Sequence, residues 1–251
     1  MRRDIFVVGA LWIALTVLGE LLVWKWEAFP LGNAVEGKII DDAFWFMTVL
    51  AIPIFTFVVA VLLYGIPRFR RAGVPTEDGP AYRTNNPLVA FWLIFTTLLC
   101  LLVIITPGIT GLAELKAHAD EKVDVVVEVQ GNRWYWEVSY PQYGVVKARD
   151  ELVLPVGEHA RFDITASDVL HSFWIPSFRI EIDAVPGMTT HTNATPQRVS
   201  DTDDDISLRL QCAELCGTGH ALMHMDVRVV TREEFDAWVA KKVREQQEAV
   251  K

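Results

Sequence analysis

The sequence is poor in cysteine and histidine, and the places where these residues are missing limit which cofactors the chain can bind. Its three cysteines form no C-x-x-C-H motif, which excludes a fused c-type haem. All six histidines follow the last long apolar run, so the membrane-type part of the chain has no histidine cluster to hold haem. There is also no internal repeat and no low-complexity tract.

Long apolar runs are what the first part of the chain has in abundance. Hydrophobic residues make up 51% of the sequence. Residues 5–24 are apolar apart from Glu20, and residues 43–66 and 87–109 carry no charge. Each run is long enough to cross a hydrocarbon core of roughly 30 Å as a helix. We therefore predict a membrane anchor over residues 1–110 with three spanning helices.

The first run has an alternative interpretation as a cleaved signal peptide. It is longer than the usual apolar core of a signal peptide, and no A-x-A-like cleavage site follows it. These features favour a helix that is retained in the mature protein.

Basic residues indicate how the anchor is oriented. They precede the first run and crowd the connection between the second and third runs, at Arg2, Arg3, Arg68, Arg70, Arg71 and Arg83. By the positive-inside rule, the N-terminus and this connection are cytoplasmic. Everything after about residue 110 is then expected outside.

Charge divides between the two parts of the chain. Residues 1–110 hold 8 acids and 8 bases, whereas residues 111–251 hold 24 acids and 15 bases. An acidic outer domain excludes nucleic acid as a partner and suits a basic protein. Simple solubility explains the same charge equally well.

The outer part has the pattern of a β-domain followed by a helix. Apolar residues alternate in four segments, 123–129, 134–140, 206–212 and 223–229, which predicts strands with one buried face. Turn signals between them favour a β-sandwich or barrel over residues 111–231. Thr231 and Glu234 form a capping box, and an apolar stripe follows, so residues 232–251 are predicted to form an amphipathic helix.

The stretch "CAELCGTGHALMHM", residues 212–225, concentrates soft metal ligands. A disulfide between Cys212 and Cys216 is the alternative in an oxidising compartment. Thiolate, imidazole and thioether together favour copper. Strand parity makes Met223 an inward ligand and His224 a surface residue. A second histidine is expected from elsewhere, from among His118, His159, His171 and His191, and His171 lies between apolar residues at a strand end.

Four motifs make the sequence resemble subunit II of the haem-copper oxygen reductases, the cytochrome c oxidase family. They are "GNRWYWEVSY" (131–140), "DVLHSFWIPSF" (168–178), "DAVPGMTTH" (183–191) and "CAELCGTGHALM" (212–223). The C-x-E-x-C-x-x-x-H-x-x-M pattern of the family is matched at every position. The family usually has two membrane helices in the mature subunit, whereas this chain is predicted to have three.

The resemblance implies a binuclear copper centre, CuA, on a cupredoxin-like Greek-key barrel. Cys212 and Cys216 would bridge two copper ions. His171 and Met223 would complete one ion, and His220 with the backbone carbonyl of Glu214 the other. The Glu214 side chain would reach a magnesium ion at the boundary with subunit I, and Trp134 would be the point of electron entry.

The function implied is that of the electron-accepting subunit of a terminal oxidase in the bacterial plasma membrane. Cytochrome c or another basic donor would supply electrons, and haem in subunit I would reduce O2, with subunit III as a further partner. The CuA subunit of a nitric oxide reductase is one alternative. A membrane-anchored copper-delivery protein is another, although copper exchange favours exposed, flexible ligands.

Overall fold

The computed structural model of the chain describes residues 2–26, 29–70, 73 and 83–249. Within these residues, three helices are long and apolar enough to cross a membrane. They are α1 (Arg2–Lys25), α2 (Val35–Phe69) and α3 (Asn86–Val103). A segment with a kink at Thr106 (Ile104–Ile109) joins α3 to α4 (Thr110–Ala119). The prediction of three apolar helices is confirmed. Helices α1 and α2 extend beyond the apolar runs that predicted them, whereas α3 ends within its run.

Helix α1 packs against α2 through polar as well as apolar contacts. The Trp12 indole N–H donates to the Pro53 carbonyl at 2.7 Å, and the hydroxyls of Thr16 and Thr56 lie 2.7 Å apart. A Cβ atom at Gly19 would lie 2.9 Å from Ile52, so glycine permits the close approach of the two helices. Small and hydroxyl-bearing residues are the usual means of helix association in lipid. Helix α1 is therefore an interacting part of the helical unit.

The β-domain contains two sheets built from eleven strands. The strands are β1 (Val125–Asn132), β2 (Tyr135–Tyr140), β3 (Val145–Ala148), β4 (Glu151–Pro155), β5 (Ala160–Ala166), β6 (His171–Ile175), β7 (Ile180–Ala184), β8 (Thr190–Ala194), β9 (Ser200–Asp201), β10 (Arg209–Cys212) and β11 (His224–Val230). One sheet has the order β3-β2-β1-β5-β8. The other has the order β4-β11-β10-β6-β7, with β9 paired to β11. The pairs β1·β5 and β4·β11 are parallel and the remaining pairs are antiparallel.

The core lies between the two sheets and is rich in aromatic side chains. Phe162 of β5 and Phe173 of β6 meet with ring centroids 5.1 Å apart, and Trp136 of β2 packs edge-on against Phe173. The buried Tyr140 hydroxyl donates to the Val153 carbonyl and accepts from the Val153 N–H. These contacts tie strands of one sheet to strands of the other.

Two residues in the predicted alternating segments do not follow the pattern. Ile206 was expected on a buried strand face, but it lies in a turn and its side chain is 64% exposed. Trp134 precedes β2 and is 39% exposed, whereas Trp136 is buried as predicted. In both places a turn interrupts the strand, so the alternation of burial ends there.

The C-terminal helix α5 (Arg232–Ala249) begins at the predicted capping box. The Thr231 N–H donates to the Glu234 carboxylate at 3.0 Å, and the Glu234 N–H donates to the Thr231 hydroxyl at 3.3 Å. Phe235 and Trp238 are buried against the barrel. The predicted amphipathic helix is confirmed, and with it the overall architecture of apolar helices, β-domain and terminal helix.

The chain divides into two compact units. One comprises Met1–Ala28 and Asp42–Leu112, and the other comprises Phe29–Asp41 and Ala113–Lys251. Residues 29–41 thus group with the barrel, and the sequence pattern carries no signal for this. The domain boundaries drawn from the sequence, at residues 110 and 231, stay a prediction.

Several buried contacts join residues 29–41 to the barrel. The side chain of Asn33 donates to the Arg198 carbonyl at 2.9 Å and accepts from the Arg198 N–H at 2.8 Å. The buried Glu36 carboxylate accepts from the N–H and hydroxyl of Thr195. Arg179 donates to both carboxylate oxygens of Asp41.

Candidate metal centre

Three neighbouring strands bring the ligand-type side chains to one end of a sheet. His171 opens β6, Cys212 ends β10, and Met223 immediately precedes β11. Strand β10 pairs with both β6 and β11. Backbone hydrogen bonds continue past the strand ends, from Cys212 N–H to the Met223 carbonyl and from Ala213 N–H to the Ser172 carbonyl. The ladder therefore places His171 beside Cys212, although the two residues are about forty positions apart in the sequence.

Cys212 and Cys216 form the centre of the cluster. Both are buried free thiols, and their sulfur atoms lie 3.8 Å apart. A disulfide bond length is about 2.05 Å, so the two residues are not in disulfide geometry. The Cys212 thiol also lies 3.2 Å from the Glu214 carbonyl oxygen.

Two imidazoles and a thioether surround the two thiols. His171 Nδ1 lies 3.8 Å from the Cys212 sulfur, and His220 Nδ1 lies 3.7 Å from the Cys216 sulfur. The Met223 sulfur lies 3.9 Å from that of Cys216. His171 and Met223 are essentially inaccessible to solvent, at 0% and 1% exposed. The structure thus brings together every side chain that the sequence analysis named as a copper ligand.

The carboxylate of Asp168 orients His171. Its Oδ1 lies 2.9 Å from His171 Nε2 and also accepts from the Val169 N–H, while its Oδ2 accepts from the backbone N–H and the Nε of Arg133. Burial acts to raise the pKa of the Asp168 carboxyl, but the hydrogen bonds from His171, Val169 and Arg133 outweigh it and hold the pKa well below its usual range. An ionised carboxylate only accepts, so the His171 proton lies on Nε2. Nδ1, which faces the thiols, then has a free lone pair.

Packing restrains the same imidazole from its sides. A Cβ atom at Gly131 would lie 2.9 Å from the ring carbon Cδ2 of His171, so only glycine allows β1 to approach this closely. Trp136 contacts His171 edge-on with ring centroids 6.1 Å apart. The imidazole orientation is therefore set by a hydrogen bond at Nε2 and by packing against β1 and β2.

Burial favours the protonated form of the Cys216 thiol. Burial raises the pKa of the Cys216 thiol to about 11, and the hydrogen bond with Cys212 adds to the effect. Because a metal binds the thiolate, metal uptake at this site releases protons.

The donor set fits copper. Ligand atoms at about 2.0–2.3 Å from an ion in a tetrahedral arrangement are separated by roughly 3.3–3.8 Å, close to the separations in this cluster. His171, Cys212 and Cys216 each present a ligand atom, and these three atoms lie within 4.8 Å of one another. Thiolate and thioether donors are soft and favour copper over harder ions.

Comparison with known proteins places the chain in a family. The sequence model described as "Cytochrome C oxidase subunit II, periplasmic domain" matches residues 145–230. A protein named probable cytochrome c oxidase subunit 2 of Rickettsia bellii (strain RML369-C) is 32% identical over 265 residues, covering 96% of this chain and 93% of the relative. The chain belongs to the cytochrome c oxidase subunit II family. Its β-domain is accordingly the cupredoxin-like domain of that family, and residues 145–230 of it match the family model.

Other relatives are longer or cover only the β-domain. Cytochrome c oxidase subunit 2 of Bacillus sp. (strain PS3) is 36% identical over 181 residues, which are 68% of this chain and 49% of the relative. The chain therefore spans about half the length of that subunit II. The crystal structure of the periplasmic domain of subunit II of Bradyrhizobium japonicum cytochrome oxidase is 31% identical, with a TM-score of 0.46, covering 50% of this chain and 97% of that one.

Trp134, the expected point of electron entry in subunit II, packs against the ligand loop, the segment 213–223 between β10 and β11. Its indole N–H donates to the Cys216 carbonyl at 3.2 Å. Cβ atoms at Gly217 and Gly219 would lie 3.2 Å and 2.4 Å from the indole, so the two glycines make room for it. The partly exposed ring thus connects the protein surface to the backbone of a ligand residue.

The remaining sequence-predicted residues are placed as follows. The side chain of Glu214 is exposed, as suits contact with a partner, and so is that of His224, as its parity predicted. His118 pairs with Glu121, His159 is buried beside Thr195, and His191 pairs with Asp163. Of the four candidate second histidines, only His171 lies in the cluster.

Sequence reasoning missed two residues that position His171. Asp168 lies three positions before His171 in "DVLHSFWIPSF", where a carboxylate close to a metal-type histidine is a usable signal. Gly131 is a glycine inside a strand pattern, which indicates a close backbone approach.

Proposed function

We propose that this chain is the electron-accepting subunit of a cytochrome c oxidase. The convergence of two thiols, two imidazoles and a thioether in one site carries the proposal. Membership in the subunit II family supports it. Electrons would arrive one at a time from cytochrome c and leave for haem in subunit I, where O2 is reduced to water.

The ligand residues would hold a binuclear copper centre. Cys212 and Cys216 would bind both copper ions as bridging thiolates. His171 and Met223 would bind one ion, and His220 with the Glu214 carbonyl the other. When bound, the copper pair supplies a one-electron redox site whose electron is shared between the two ions.

The protein keeps this site rigid and dry. Strands β6, β10 and β11 fix the ligand positions through their hydrogen-bond ladder. Asp168, Gly131 and Trp136 hold the His171 ring. Because the surroundings are already arranged, little reorganisation is needed when an electron arrives or leaves.

Trp134 would mark the side of the copper centre that receives electrons, and Glu214 the side that faces subunit I. Trp134 would accept electrons at the surface and pass them through its hydrogen bond to the Cys216 carbonyl. The exposed Glu214 side chain would bind magnesium at the boundary with subunit I. The acidic outer half suits a basic donor such as cytochrome c.

The apolar helices would anchor the subunit in the bacterial plasma membrane beside subunits I and III. The arginines at the N-terminus and between α2 and α3 favour a cytoplasmic N-terminus and an external barrel. Part of that connection, residues 71–72 and 74–82, lies outside the described residues.

Purification of the complex through a tag on this chain tests the proposal. We expect two copper ions per chain, haem in a companion chain, and oxygen consumption that depends on cytochrome c. Cys216→Ser should abolish copper binding and turnover, while the matched control Cys100→Ser, in α3, should change neither. A complex that reduces nitric oxide but not oxygen, or one without copper, would contradict the proposal.

A further inference from the structure

A chain of hydrogen bonds links the proposed copper ligand His171 to the protein surface. His171 Nε2 lies 2.9 Å from Asp168 Oδ1, and Asp168 Oδ2 accepts from the Nε of Arg133 at 3.1 Å and from its backbone N–H at 2.9 Å. His171 is buried, the Asp168 side chain is 23% exposed and that of Arg133 is 52% exposed. One guanidinium at the surface is therefore two contacts away from the remote nitrogen of a proposed copper ligand.

The ion pair between Arg133 and Asp168 contributes little to the stability of the fold. An arginine that is half exposed loses much of its attraction to a carboxylate through solvent screening. The backbone N–H of residue 133 holds Asp168 Oδ2 whatever the side chain. The Arg133 side chain therefore adds mainly positive charge beside Asp168.

The charge of Asp168 affects what His171 can donate to a metal. A carboxylate that accepts the remote N–H of a metal-bound imidazole makes the ring a stronger donor. A stronger imidazole donor stabilises the oxidised state of the metal and so lowers its reduction potential. A guanidinium on the other carboxylate oxygen withdraws charge from Asp168 and so weakens this effect.

We propose that Arg133 is a positioning residue which, through Asp168, sets the donor strength of His171 and thereby the reduction potential of the copper centre. The proposal rests on the proposed function, because it requires copper at His171. It assigns opposite effects to the two members of the ion pair. Removing the positive charge of Arg133 lowers the potential, and removing the negative charge of Asp168 raises it.

The chain contains a matched control for this arrangement. Arg161 donates to both carboxylate oxygens of Asp163, and Asp163 Oδ1 lies 2.7 Å from His191 Nδ1. The three residue types are the same, and the Arg161 side chain is 42% exposed. His191 is outside the ligand cluster, so Arg161→Gln removes the same charge from the same kind of triad without reaching a copper ligand.

The experiment uses the full-length chain, purified in detergent and loaded with copper alone. The reduction potential is measured by following the copper signal in electron paramagnetic resonance against applied potential. Pulsed measurements report the remote nitrogen of the bound imidazole, which responds to its hydrogen bond. We expect Arg133→Gln to lower the potential, Asp168→Asn to raise it, and Arg133→Lys and Arg161→Gln to leave it near wild type.

A double variant separates action through Asp168 from a charge effect through space. In the Asp168→Asn background, Arg133→Gln should produce little further shift, because its route to His171 is gone. Asp168→Ala should also weaken copper affinity about 10- to 100-fold, the usual cost of losing such a partner. An Arg133→Gln shift that is as large in the double variant as in the single one would overturn the proposal.

The remaining outcomes separate this inference from the proposed function. If wild type binds copper but Arg133→Gln changes neither the potential nor the remote-nitrogen signal, the inference is overturned and the function stands. If wild type takes up no copper, the proposed function is overturned and the inference with it.

Discussion

At the scale of single residues, Met223 and His224 are chain neighbours with opposite environments. Met223 is buried with its sulfur 3.9 Å from that of Cys216, whereas the His224 side chain is exposed. Met223→Leu should therefore shift the copper reduction potential while copper stays bound, because only one weak donor is lost. His224→Ala should leave both the potential and the copper spectrum unchanged. Equal spectral changes in the two variants would show that the assignment is wrong.

Gly219 is where a single methyl group should disturb the site. Its Cβ would lie 2.4 Å from the Trp134 ring, so Gly219→Ala must displace either the indole or the ligand loop. We expect an altered copper spectrum and slower electron entry from cytochrome c, measured by stopped-flow reduction.

Two further variants test that explanation. Adding Trp134→Ala removes the clash, so the double variant should regain the copper spectrum. Gly65→Ala, in α2 with open space around it and no left-handed backbone conformation, should leave the copper spectrum unaltered. A double variant as perturbed as Gly219→Ala alone would refute the steric account.

At the scale of elements, the stability of the first turn of α5 depends on pH. The N–H and hydroxyl of Thr231 hold the pKa of the Glu234 carboxyl below its usual range. A lowered pKa means that the carboxylate stabilises the folded helix above the unfolded-state pKa, and that this is lost as pH falls through the folded-state value.

Hydrogen exchange at the first amides of α5 checks this. Above about pH 5, wild type should be better protected than Glu234→Gln, and the difference should disappear on acidification. Glu233→Gln removes the same charge without touching the capping box, and should leave the protection close to wild type. A difference that is independent of pH would contradict the assignment.

The segment 29–41 is a second element whose contribution can be measured. Asn33→Ala removes a buried amide side chain and with it both hydrogen bonds to the Arg198 backbone. We expect a loss of about 1–3 kcal/mol in the free energy of unfolding of the barrel, measured by denaturant titration of the full-length chain. Asn33→Asp should cost at least as much, because one oxygen of its buried carboxylate would face the Arg198 carbonyl oxygen. Unchanged stability in Asn33→Ala would show that the segment is not an integral part of the barrel.

How well each element could be predicted depends on whether its signal is local. The capping box of α5 and the three apolar helices are encoded in short stretches, and both were predicted correctly. The docking of residues 29–41 rests on Asn33, Glu36 and Asp41, whose partners lie about 140 to 165 positions later. No periodicity in a short mixed segment reports such contacts.

At the scale of the whole molecule, the candidate site was more predictable than the barrel around it. Five of the six proposed ligand residues lie between residues 212 and 223, so their spacing alone indicates a site. His171 needed the family resemblance, because four histidines were available. Gly131 became apparent only in three dimensions, since its role depends on the approach of β1 to His171. Asp168 lies only three positions before His171, so its local signal was there and was overlooked.

The proposed copper centre consists of two copper ions that share one electron. Its most direct test is electron paramagnetic resonance of the full-length chain loaded with copper, because a fragment starting near residue 111 would lack the segment 29–41. We expect hyperfine splitting from two equivalent copper nuclei, with two copper ions per chain. A spectrum with the splitting of a single copper nucleus would contradict it.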